Sequence, residues 1–118
     1  MVNGSHVIFY AEDADKVRSF FSDVLKLGSV DAGHGWLIFA LPPAEFAVHP
    51  TEGAPRYELY LMCDDIEATT KDLQAKGVEF VRPVKEERWG LVTAIKLPDG
   101  GEMGLYEPRH PTALKLNR

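Results

Sequence analysis

The chain has a single cysteine, Cys63, in 118 residues. No disulfide can close within it, so the fold must be held by its apolar core. No apolar run approaches the roughly 20 residues that span a bilayer. Met1–Ser5 carries neither the basic nor the apolar part of a secretion signal, so a cytoplasmic location without membrane contact is expected. Glycine loops of the phosphate-binding kind, serine nucleophile elbows and paired-cysteine motifs are all lacking, which sets aside nucleotide chemistry and serine acyl transfer. Basic residues are scattered: 13 Lys and Arg stand against 18 Asp and Glu, for a net charge of -5. That balance lacks the electrostatic footprint of a nucleic-acid binder and favours a neutral or cationic small ligand over a polyanion.

What the chain does have is an apolar fraction of 45%, enough for the core of one domain over residues 1–118, and an internal repeat. His6-Val7-Ile8-Phe9-Tyr10-Ala11-Glu12-Asp13 matches Glu58-Leu59-Tyr60-Leu61-Met62-Cys63-Asp64-Asp65, each a β-type run ending in acidic residues. Asp13 and Asp65 then read as helix N-caps. Val17, Phe20, Phe21, Val24 and Leu25 recur at helical spacing with Gly28 as the stop, and Ile66, Thr69, Thr70 and Leu73 do so with Gly77. Strands follow over Trp36–Leu41 and Val92–Leu97, each ended by proline, with a Pro98-Asp99-Gly100-Gly101 turn in the second copy. Glu45–His49 matches Glu102–Tyr106.

The fold class expected is therefore α+β: two βαβββ modules forming a curved mixed sheet around a cavity. Module one spans 4–50, the Pro/Gly-rich linker 51–56, module two 57–107, and an unpatterned tail 108–118 reads as a packing or dimer arm or as disordered chain. Residues two apart on a strand share a face. Val7, Phe9, Ala11 with Leu59, Leu61, Cys63 form an apolar face for the helices, which makes Cys63 a core residue. His6, Ile8, Tyr10 with Glu58, Tyr60, Met62 form a mixed face suited to a ligand cavity.

These features resemble the vicinal-oxygen-chelate superfamily of glyoxalase, bleomycin-resistance and dioxygenase proteins. The likeness is carried by Cys63-Asp64-Asp65-Ile66-Glu67-Ala68, Leu73-Gln74-Ala75-Lys76-Gly77-Val78-Glu79-Phe80, Leu97-Pro98-Asp99-Gly100 and Leu105-Tyr106-Glu107-Pro108, and it extends over nearly the whole chain. It implies a curved sheet cupping a cavity, a homodimer in which half-cups exchange partners, and one divalent ion (Zn, Fe, Ni or Mn) on inward residues of the opening and closing strands. The four equivalent positions here are His6, Ala47, Glu58 and Gly104. Ala47 and Gly104 offer no donor, and a glutamate normally fills the last position in members that use metal. His6 and Glu58 remain as metal ligands, with His49 or Glu102 as substitutes, although catalytic zinc sites usually have three protein ligands.

Three functions follow. The first is a cavity protein that binds or sequesters a small organic, antibiotic-like compound with the metal site dismantled, its ligand-binding residues being Tyr10, His49, Tyr60, Met62, Trp89, Gly104 and Tyr106. The second is a divergent metal-dependent lyase or dioxygenase using the metal as a Lewis acid. The third is metal-free catalysis by the His6/Glu58 pair. Lys85–Gly90 reads as a solvated loop, with Arg88 placed to close over the mouth; His34 reads as a turn residue and His110 as surface.

Overall fold

A computed structural model of the chain describes residues 6–54 and 56–114. The expected start of module one at residue 4 and the last four residues of the tail lie outside the described residues.

In the second half β3 (Tyr60–Met62), α2 (Ile66–Ala75), β5 (Gly90–Lys96) and β6 (Glu102–Pro108) form where the pattern predicts them, with β4 (Phe80–Glu87) between α2 and β5. The strands lie in the order β3-β6-β5-β4; β3 runs parallel to β6 and the other pairs are antiparallel. Helix α2 starts where Asp65, in extended backbone, accepts a hydrogen bond from the Ala68 N–H at 3.1 Å. The Ile66 N–H donates to Glu107 Oε1 at 3.0 Å, so two of the N–H groups that every helix start leaves unpaired are satisfied. Gly77, at φ 88, ends the helix in the left-handed region that glycine enters without a Cβ penalty.

The expected loop at Lys85–Gly90 is a hairpin instead. Lys85, Glu86 and Glu87 pair with Val92, Leu91 and Gly90, leaving Arg88 and Trp89 as the turn. Charged side chains are tolerated there because the outer strand needs only its backbone in the ladder. Strand β4 carries Pro83 and two register shifts, and the Thr93 hydroxyl donates to the Arg82 carbonyl at 2.7 Å where the ladder is interrupted.

The first half is less regular. Asp13 caps α1 (Ala14–Ser19) through the Lys16 N–H at 3.2 Å, and the helix widens into a π-helical turn over Phe20–Val24. There the Leu25 N–H reaches the Phe20 carbonyl at 3.2 Å. The wider turn lets adjacent Phe20 and Phe21 both be buried. The chain leaves the helix at Lys26, φ 59, ahead of the expected stop at Gly28. Strands β1 (Ser29–Asp31) and β2 (Leu37–Phe39) form a two-stranded antiparallel hairpin turned by Gly33, His34 and Gly35, all at positive φ. The expected strands at 6–11 and 45–49 lie outside any ladder. A β pattern is stable only when its N–H and C=O groups find a partner strand, and prolines at 42, 43 and 50 bracket the second run.

Core residues come from both halves: Val17, Phe20 and Phe21 pack with Ile66, Leu73, Ile95, Met103 and Leu105. Ile66 and Ile95 are fully buried, each contributing about 1.5–3 kcal/mol. Among the described residues no helix is long and apolar enough to cross a membrane.

Candidate ligand-binding face

Register puts chemistry on the sheet face that turns away from the helices. Tyr60, Gly104, Ala94 and Arg82 form one row across β3, β6, β5 and β4, and Met62, Tyr106, Val92 and Lys85 form the next. The alternate residues Leu61, Leu105 and Ile95 point into the core, as a period of two requires.

Gly104 is what shapes this face. A β-carbon there would overlap the Tyr60 ring, 2.7 Å from its Cγ, so the ring lies on the backbone where any other residue would project. Around it Tyr60, Trp89 and Tyr106 stand nearly at right angles: centroids are 6.0 Å apart for Tyr60 and Trp89, 5.7 Å for Tyr60 and Tyr106, and 5.2 Å for Trp89 and Tyr106. Such edge-to-face contacts favour one fixed arrangement of rings. The tail holds the cluster from outside, with the Arg109 N–H donating to the Trp89 carbonyl at 2.9 Å and His110 stacked on Tyr106.

The Tyr60 hydroxyl donates to Glu58 Oε1 at 3.3 Å. Its pKa is raised, first by burial and then by the Glu58 charge. Burial and the Glu45 charge raise that of Tyr106. Both phenols therefore stay neutral donors at ordinary pH. Burial also raises the Cys63 thiol, which keeps it protonated and poorly nucleophilic.

The sequence-predicted site residues separate into groups. Tyr60, Met62, Trp89, Gly104 and Tyr106 share the open face. Glu58 sits at its margin, 3.8 Å from Arg56, and Glu102 is paired with Arg82 at 2.9 Å. Tyr10 is 90% exposed, and His49 lies in exposed chain outside any strand. His6 lines a different cavity.

The implied metal does not fit these residues. Among the described residues no three His, Cys, Asp or Glu side chains converge on one position. At Gly104, where the resemblance implies a carboxylate, the Tyr60 ring covers the backbone.

A second concavity of about 470 Å³ opens between the segment 6–11, α1, the β1–β2 hairpin and Leu59, Leu61 and Met103. Leu61 and Met103 belong to the helix-packed face, opposite Tyr60 and Gly104.

Sequence reasoning missed Arg82 and Ala94, which continue the Tyr60–Gly104 row. The available signal was strand alternation, but Pro83 and the register shifts disguised β4 as loop. It also missed Arg18 over the Trp36 ring, 5.3 Å from the centroid, a contact between elements with no local spacing to betray it.

Residues 5–103 match the Glyoxalase/Bleomycin resistance protein/Dioxygenase superfamily. A comparison with curated proteins gives no match. Among solved structures, the chain is similar to TnmS3, an antibiotic-binding protein from Streptomyces sp. CB03234, at 26% identity and TM-score 0.63, covering 92% of this chain and 99% of that one. A superfamily member from Sphaerobacter thermophilus DSM 20745 aligns at 22% identity and TM-score 0.65 over 90% and 98% of the two chains. A lactoylglutathione lyase from Agrobacterium tumefaciens aligns at 16% and 0.65 over 89% and 92%. With most of its length matched and the fold shared with these structures, the chain belongs to the Glyoxalase/Bleomycin resistance protein/Dioxygenase superfamily.

Proposed function

We propose that this protein binds a small, flat organic compound on the open face of the β3-β6-β5-β4 sheet without using a metal, and sequesters it as an antibiotic-binding protein does. The observation that carries this reading is the Tyr60 ring lying across Gly104. At the position where the resemblance implies a metal ligand the chain presents an aromatic surface, extended by Trp89 and Tyr106. Stacking needs π-faces and a partly dry surface, and neutral phenols add hydrogen-bond donors that orient a polar ring substituent. The likeness to TnmS3 supports the same reading. A metal-dependent lyase or dioxygenase would need donors that these residues do not bring together.

The site is completed, in this reading, by a second copy of the chain. The protein exposes 9361 Å², whereas a compact chain of 13.2 kDa exposes about 6,400 Å². Its exposed apolar side chains include Phe46 at 92% and Tyr57 at 100%, the kind of surface an obligate interface covers.

The test is calorimetric titration with two planar probes, phenazine and the acridinium cation, with and without a chelator. Binding is expected to survive chelation and to weaken about tenfold in Trp89→Ala, roughly 1.4 kcal/mol. Affinity lost to the chelator, or unchanged in Trp89→Ala, would sink the proposal. Light scattering should give the mass of a dimer.

A further inference from the structure

The second concavity has a chemistry of its own. At about 470 Å³ it is far larger than a packing void, since a water in the liquid takes about 30 Å³, and it lies within the range of ligand sites. Its walls are aliphatic and aromatic: Phe9, Phe21 and Phe39 touch ring to ring at 5.7 Å on one side, and Leu61 and Met103 lie on the other. In a chain with net charge -5, His6 and Arg18 are, among the described residues, the only ones lining it that carry charge or titrate, and none of those lining residues is an acid.

Arg18 is held in place. Its guanidinium lies 5.3 Å from the Trp36 ring centroid, and one terminal nitrogen is 2.9 Å from Asp15 Oδ1. The Arg18 side chain is 23% exposed and that of Asp15 92%. A carboxylate so fully in water is a weak partner. A half-dried guanidinium fork, by contrast, has N–H groups to spare for a second acceptor and bonds a carboxylate strongly.

We propose that this groove is a second binding site, for an amphiphilic monocarboxylate whose apolar body lies against the Phe21–Leu61–Met103 walls while its carboxylate meets Arg18. It is independent of the aromatic face, because its floor belongs to the other side of the sheet. The apolar walls supply affinity that any hydrophobic body shares; Arg18 supplies the preference for the acid.

Calorimetry with decanoate and with decanol, its uncharged counterpart, separates the two contributions. In the natural chain decanoate should bind at least tenfold more tightly than decanol. Arg18→Gln should abolish that preference while leaving decanol unchanged. Ala32→Trp, at an exposed wall position that tolerates bulk, should weaken both, and saturating phenazine should affect neither. Equal affinities in the natural chain, a preference that survives Arg18→Gln, or no heat with either compound because a second copy fills the groove would each overturn the proposal.

Discussion

The two halves of this chain carry one pattern and reach different degrees of order. In the second, four strands pair in one sheet, interrupted only between β4 and β5, and the segment between β5 and β6 closes in a tight turn, where the Gly101 N–H donates to Asp99 Oδ1 at 2.9 Å. In the first, three residue pairs make the ladder among the described residues, and the flanking β-like runs lie outside it with Ile8 60% and Val48 87% exposed. The difference teaches that alternation of apolar and polar residues makes a strand possible, but only a partner backbone at the right height makes it one.

The largest expected effect uses two equivalent residues of the repeat, Ile95 in β5 and Phe39 in β2. Ile95 is fully buried, so Ile95→Ala should destabilise by about 4 kcal/mol, whereas Phe39→Ala, at a half-buried position, should cost about 2. Urea denaturation measures both; equal losses would mean that the halves are equally well packed.

A smaller effect separates Gly104 from its counterpart Ala47. Gly104→Glu must displace the Tyr60 ring, with an expected loss of about 1–3 kcal/mol and of phenazine binding. Ala47→Glu, on exposed chain, should change stability by less than about 0.5 kcal/mol. If metal affinity appeared in Gly104→Glu, the ring alone would have been closing the family's metal position.

The smallest effect is in pH. Tyr60 and Tyr106 have raised pKa values in the folded chain, so as pH climbs through the ordinary tyrosine range near about 10 the unfolded chain loses its protons first. Stability should fall there. Absorbance titration should show these two phenols ionising above the ordinary tyrosine range, and replacing both by Phe should flatten the decline.

Much of this was legible in advance, because the repeat rests on local signals: Asp65 and Gly77 bound α2 by short-range hydrogen bonding and backbone sterics, and Pro98–Gly101 makes a turn on its own. The absence of a donor at Gly104 could likewise be read directly. Its reason could not, since Tyr60 meets Gly104 only through a parallel pairing of segments more than forty residues apart. His6 and Glu58 look equivalent in the repeat, yet with 6–11 outside any ladder nothing fixes the two at a common height.

The interrupted strand β4 has a further consequence. The sheet has two margins, β3 and β4, and only β3 presents an unbroken run of backbone groups; β4 interposes Pro83, two register shifts and a fringe of charged side chains. Strand addition can thus proceed from one side alone. A neighbour docked at β3 would bring its own blocked margin to the outside, so growth would halt at a closed pair, and the same lack of regularity that hid β4 from sequence reading works against open-ended stacking at that margin.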